Sequence, residues 1–87
     1  RVVLWGSGSK AVAFAHSLGI TEEVQYTVDI NPYRQKTFLP GTGHLIVSPA
    51  FLKEYRPHVV IVMNEVYVDE IRRDLDGMGL DPEILTI

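Results

Sequence analysis

Residues 1–11, Arg1-Val2-Val3-Leu4-Trp5-Gly6-Ser7-Gly8-Ser9-Lys10-Ala11, decide the fold of this chain. A continuously apolar run, Val2 to Trp5, breaks at two glycines, and a helical pattern follows. Continuous apolarity over a short run marks a strand covered on both faces. The helical pattern is Ala11, Val12, Ala15 and Leu18, apolar at three- and four-residue spacing, with Gly19 as its stop. A strand that turns at once into a helix leaves the first N–H groups of that helix unpaired at the positive end of its dipole. Such a turn is a ready anion site. Gly6-x-Gly8-x-x-Ala11 fits the relaxed dinucleotide fingerprint, which allows Ala in third place. Ser7, Ser9 and Lys10 add hydroxyls and a charge suited to a phosphate. The plainer reading, that the glycines only permit a tight turn, stands beside it.

Working outward, Val24 to Asp29 reads as a second strand that ends on a carboxylate, roughly 20 residues after the glycines. A dinucleotide-type fold places its ribose-binding acid there. Asp29-Ile30-Asn31-Pro32 is also good turn chemistry, so Asp29 has two readings. Ile30 to Gly43 is a 14-residue stretch with Pro32, Pro40, Gly41 and Gly43 and no clear period. A loop of that length in a small domain is usually functional or mobile. Its Tyr33, Arg34 and Lys36 form either a solvated basic turn or an aromatic face and two cations for a base and a diphosphate.

His44 to Val47 reads as a third short strand. Ser48 then serves as N-cap and Pro49 as first residue of a short helix that ends before Pro57. His58 to Met63 is the most apolar strand and is predicted to be central. A last helix carries Val68, Ile71, Leu75 and Met78, with Gly77 and Gly79 near its end, and Ile84 to Ile87 forms a final strand. The charged residues Asp69, Glu70, Arg72, Arg73 and Asp74 read as the solvated, self-paired face of that helix.

Strands alternating with helices predict an α/β fold of three layers, a mainly parallel sheet of about five strands flanked by three helices. Right-handed crossovers put the carboxyl ends of the strands on one edge. The Gly6–Lys10 turn, the Asp29 loop and Asn64-Glu65 then share that edge, where open α/β sheets bind ligands. A full dinucleotide fold has two βαβαβ halves, and 87 residues supply roughly one, which suits one nucleotide or the nucleotide end of a larger ligand.

Composition narrows the classes further. A net charge of −3 lacks the basic footprint of a nucleic-acid binder. The absence of cysteine excludes disulfides, thiolate metal sites and a Cys nucleophile. No apolar run approaches the ~20 residues of a membrane span, and no signal peptide is visible, so the expectation is a cytoplasmic protein without a membrane partner. His16, His44 and His58 have no metal-ligand spacing. Ser7 sits in Gly-Ser-Gly, which is no nucleophile elbow. No catalytic constellation emerges. The chain opens on Arg1, already in strand-like sequence, and is expected to be a piece of a larger protein.

In order, WGSGSKA, VDINPYRQKTFLPGTG, IVSP with LKEYRP, and VVIVMNEVYVDEIRRDL resemble the C-terminal domain of the sugar C-methyltransferases, over nearly the whole chain. VDINPYRQ…PGTG is the most specific block. The resemblance implies a Rossmann-like domain that follows a zinc-binding domain and a central methyltransferase domain using S-adenosylmethionine. It also implies a nucleotide-diphosphate deoxysugar held between the central and C-terminal domains. By position, the turn Gly6, Ser7, Gly8, Ser9 and Lys10 and the segment Asn31-Pro32-Tyr33-Arg34-Gln35 would face that substrate. Donor site and catalytic acid/base would lie in the central domain, so this fragment would bind no cofactor. Where many relatives carry a Pro-Trp-Asn type segment, this chain has Met63-Asn64-Glu65-Val66-Tyr67.

The leading expectation is therefore a substrate-binding domain, non-catalytic alone, whose partners are a nucleotide-diphosphate sugar and an adjacent methyltransferase domain. Asp29, Lys36 and Asn64 complete its candidate site. The alternatives are a nucleotide or NAD module of a dehydrogenase or regulatory protein, and a docking domain without ligand.

Overall fold

Val2–Trp5 forms strand β1, and its apolarity is explained by its place: it pairs in parallel on both sides. In the computed structural model, which describes residues 1–18, 24–39 and 43–86, Trp5 lies opposite Val28 of β2 (Val24–Val28) and Val62 of β4 (Val59–Val62). β3 (Leu45–Val47) pairs with β2, and β5 (Glu83–Thr86) pairs with β4. The result is one five-stranded parallel sheet of order β3-β2-β1-β4-β5.

Two expectations change in detail. The middle strand is β1, while β4 is interior but one place from the edge. Its uniform apolarity follows from neighbours on both sides rather than from the central position. The size argument also falls. The order β3-β2-β1-β4-β5 contains the three strands of a first half, with a loop rather than a helix among the described residues between β2 and β3, and two strands of the second, so the reversal point between β1 and β4 is present.

Side chains alternate across the sheet with period two. Val3 and Trp5 join Val28, Val60 and Val62 under Leu52, Ile71 and Leu75, on the face covered by α2 (Leu52–Tyr55) and α3 (Val68–Gly77). Leu4 points the other way, with Ala11, Val24 and Met63 and the half-buried Phe14, onto the face covered by α1 (Ser9–Leu18). Gly19, Pro40, Gly41 and Ile87 lie outside the described residues, as do the side chains of Ser9, Ala15, His16 and Leu18.

The Pro49 helix is short and ends before Pro57, as its sequence predicts, but the side-chain cap is not formed. It is one 3₁₀ turn, Pro49–Phe51, followed by the four residues of α2. Ser48 occupies the cap position with extended backbone, but its side chain makes no cap hydrogen bond. What holds the segment is packing. Leu52 is fully buried, and Tyr26 packs in T-shaped contact with Phe51 and Tyr55 at ring separations of 4.9 and 4.8 Å. Arg56 ends it in the left-handed conformation at φ 52°, beside Pro57, whose ring disfavours a further helical residue.

The long loop after β2 is ordered by its own backbone in its described part. Lys36 N–H donates to Ile46 O, Ile46 N–H to Thr37 O, and Leu39 N–H to His44 O, at 2.7–2.8 Å. Phe38 bridges Leu45 in antiparallel sense. The returning arm thus covers the free edge of β3, which would otherwise offer unpaired N–H and C=O groups.

Candidate functional site

The glycine turn is built as a clasp between β1 and β2. Gly6 has φ 120°, a conformation that side-chain-bearing residues rarely adopt, and its N–H donates to Val28 O at 2.7 Å. Gly8 caps α1: its carbonyl accepts from Ala11 N–H at 3.0 Å and Val12 N–H at 3.3 Å. A Cβ placed at Gly8 would meet nothing within 4 Å. The space beside Gly8 in that direction is therefore open. Lys10 stands exposed in that turn, and Ser9 is its first residue.

Ser7 is buried, and its hydroxyl donates to Asp29 Oδ2. Asp29 Oδ1 accepts from Asn31 N–H at 2.8 Å, and Asn31 Oδ1 accepts from Tyr33 N–H at 3.0 Å. Asp29 is thus a turn residue, as its plainer reading held. A carboxylate offers about four lone-pair sites, however, and each oxygen spends one on these bonds. Two acceptor positions are left unspent. Arg34 reaches back, with Nη1 3.4 Å from Ser7 Oγ. Gln35, the last residue of the segment that the resemblance turns toward a substrate, donates from Nε2 to Asp29 O at 2.8 Å and braces the loop.

Ser7, Asp29 and Arg34 therefore meet, and Asn31 orders the loop between them. Two candidates do not join this junction. Tyr33 is 90% exposed, so its ring stands in solvent at the rim rather than against the glycine turn. Lys36 is held by its backbone beside β3 at φ 66°, and among the described residues no contact ties its ammonium to the turn. Asn64 follows β4, where its Oδ1 accepts from Val66 N–H at 3.1 Å and starts the 3₁₀ turn before α3.

Replacing Asp29 by Ala should cost about 1–3 kcal/mol, because the buried Ser7 hydroxyl and Asn31 N–H lose their acceptor. Asp29→Asn keeps one acceptor and should cost about half as much. Urea denaturation measures both, and an Asp29→Ala variant as stable as the parent would show that the junction is not what holds the loop.

Beside the junction, on the α3 side, lies a cavity of about 260 Å³. Trp5, Val62, Met63 and Ile71 form its walls, with Asp29, Asn64, Tyr67, Glu70 and Asp74 at its polar positions. Glu70 and Asp74 were read as part of a self-paired solvated helix face. The ion pair of α3 among the described residues is instead Arg72 with Asp81 beyond the helix, at 3.3 Å. The signal was present in the sequence: Tyr67, Glu70, Ile71 and Asp74 recur at helical spacing. Only the topology says that this face borders the β1/β4 crevice.

The chain matches a family described as C-methyltransferase C-terminal domain over residues 1–80. Among solved structures it is similar to UDP-D-quinovosamine 4-dehydrogenase from Vibrio fischeri, with 22% identity and a TM-score of 0.73 over 99% of this chain and 75% of that one. It is also similar to RSP, a Rex-family repressor, with 12% identity and a TM-score of 0.66 over 99% of this chain and 51% of that one. RSP in complex with β-NAD+ and operator DNA gives 11% identity and a TM-score of 0.68, over 99% and 48%. The chain thus spans about half the length of the repressor, and at these identities the likeness is one of fold. No curated protein matches the chain.

Proposed function

The chain belongs to the C-methyltransferase C-terminal domain family, and from that premise we propose that it is the substrate-binding domain of a C-methyltransferase whose substrate is a nucleotide-diphosphate sugar. The observation that carries this reading is the Ser7–Asp29–Arg34 junction beneath open space at Gly8. The N-terminus of α1, with the exposed Lys10 in its first turn, and Arg34, which reaches Ser7, bring positive charge to the glycine turn, which suits a diphosphate. Asp29 adds acceptors for ribose hydroxyls.

In this reading S-adenosylmethionine binds a separate methyltransferase domain, and this chain contributes no catalytic acid or base. Exposed apolar side chains on the same edge support a facing partner domain. Ile30, Tyr33, Val66 and Tyr67 are 66%, 90%, 76% and 53% exposed. A site shared with another domain binds weakly in isolation, near millimolar, or about −4 kcal/mol.

The test is a chemical-shift titration of the chain with adenosine, thymidine and uridine diphosphate sugars. Shifted amides should cluster at residues 6–10 and 31–36. Gly8→Val should abolish the shifts up to about 10 mM ligand, a loss of at least tenfold, while changing stability by less than about 1 kcal/mol. Lys10→Ala should weaken binding about twofold and reduce its salt dependence. Shifts centred elsewhere, or unimpaired binding by Gly8→Val, refute the site. A dinucleotide module is the second reading, favoured by the β1/β4 reversal, and tighter binding of NAD+ than of any nucleotide sugar would select it.

A further inference from the structure

We infer that a cleft at the amino edge of the sheet, where β1, β4 and β5 begin, binds a small organic carboxylate. This site goes beyond the nucleotide reading and lies at the opposite end of β1 from the glycine turn. Three observations point there.

The first is a residue in a costly conformation. Arg56 has φ 52° and ψ 69° at the position that ends α2. Glycine usually holds that place, because it has no Cβ to crowd the backbone. Pro57 follows, and a proline restricts the residue before it to extended backbone. Arg56 thus departs from two local preferences at once. Such departures persist where the surrounding structure fixes them, and they cluster at functional sites. What arginine offers here, and glycine does not, is a guanidinium beside the cleft.

The second is the cleft itself, of about 310 Å³. Pro57, Leu80 and Pro82 are buried and give it an apolar floor. Arg1, Arg56 and His58 are exposed and, with Asp81, give it a charged rim. Asp81 does not cancel the two guanidiniums, because its Oδ1 already accepts from Arg72 Nη1 of α3 at 3.3 Å.

The third is that the rim is held in place. His58 N–H and Val59 N–H both donate to Arg1 O, at 2.8 and 3.2 Å, which clamps the start of β1 to the start of β4. The backbone nitrogen of Arg1 donates to His58 Nδ1 at 3.1 Å, so the ring presents its proton on Nε2. Arg1 Nη1 donates to Arg56 O at 3.4 Å, and the guanidinium carbon stands 5.8 Å from the centre of the Tyr55 ring. Donors ordered in advance lower the entropy cost of binding.

A guanidinium fork matches the two oxygens of a carboxylate. The apolar floor takes a short hydrocarbon stem. A phosphate has no apolar part for that floor, and it brings a second charge towards Asp81.

The experiment titrates acetate, butyrate and inorganic phosphate into the chain at constant ionic strength, with amide shifts as readout. Butyrate should shift Arg56, His58, Leu80 and Asp81 saturably. It should bind about fourfold tighter than acetate, through its additional methylenes. Arg56→Gly should weaken butyrate binding by about tenfold or more, the loss of a charged hydrogen-bond partner. The same variant should unfold at a higher urea concentration than the parent, because glycine relieves the backbone at that position. Arg73→Gln removes an equal charge from the exposed side of α3 and should leave binding unchanged.

Shifts that grow linearly with butyrate at every concentration would refute the site. Phosphate binding as tightly as butyrate would overturn the choice of a carboxylate. Unimpaired butyrate binding by Arg56→Gly would remove the guanidinium from the site. A lower urea midpoint for that variant would show that Arg56 serves the fold, and would overturn the argument from its conformation.

Discussion

Gly6→Val should destabilise this domain by about 2–6 kcal/mol, while Gly8→Val, two residues on, leaves it folded. The two glycines do different work. At Gly6 the backbone sits at φ 120°. Forcing a β-branched residue into a sparsely allowed conformation costs about 1–3 kcal/mol. The new Cβ would also lie 3.3 Å from Met63 Cβ and Cγ. Met63 is 5% exposed and packs with Leu4 and Ala11, so it has little room to yield. Overpacking of that kind adds about 1–3 kcal/mol. A domain of 87 residues has a total stability of only about 4–13 kcal/mol, so the variant loses a large share of it. Urea denaturation of the two variants side by side is the measurement, and a Gly6→Val midpoint matching the parent's would refute the account.

Leu52→Ala should cost about 2–5 kcal/mol, the range for emptying a buried leucine site. The reason is specific to this chain. α2 has four residues and cannot persist on its own hydrogen bonds. It is held by Leu52, fully buried against Val28 and Val60 in the main core cluster, and by the Tyr26–Phe51–Tyr55 rings. Removing Leu52 leaves a cavity under the segment that joins β3 to β4. Ser48→Ala, by contrast, should change stability by less than about 0.5 kcal/mol, because the hydroxyl makes no cap bond. If Ser48→Ala proved the costlier of the two in chemical denaturation, the packing account of α2 would fail.

These variants also mark how far the residues could be read before the coordinates. The apolar runs marked β1 and β4 most clearly, because a strand covered on both faces has no polar positions to hide it, whereas β2 and the exposed edge strand β5 were read from runs interrupted by Gln25, Thr27 and Thr86. The alternation of strands and helices then left a parallel α/β sheet as the consistent arrangement. Sheet order was harder. Val2–Trp5 and Val59–Val62 are both interior strands of four residues, and nothing in their composition says which is in the middle. At Pro49 the start and end of the short helix were legible, but the Ser48 cap bond does not form, because a capping residue type permits that bond without enforcing it. The Ser7–Asp29–Arg34 junction was legible as a neighbourhood, since strand ends of a parallel sheet share an edge. Its bonds were not, because they depend on two successive Asn/Asp turns that aim Arg34 backward. The cavity was missed for a similar reason. Glu70 and Asp74 look like any solvated helix face until the helix is placed beside the β1/β4 crevice.

The place of β1 between β2 and β4 also sets a timetable. The first strand of the chain has its second pairing partner 57 positions later, Val2 opposite Val59. Parallel strands brought together over such separations must close a long loop before any ladder bond rewards it, which slows folding. β1 can align with β2 early, yet one side of the central strand stays open until β4 arrives. Until then Val3 and Trp5 have no Val60 and Val62 beside them. The slow step in acquiring this fold is therefore the docking of β4, and the aggregation-prone interval is the wait for it.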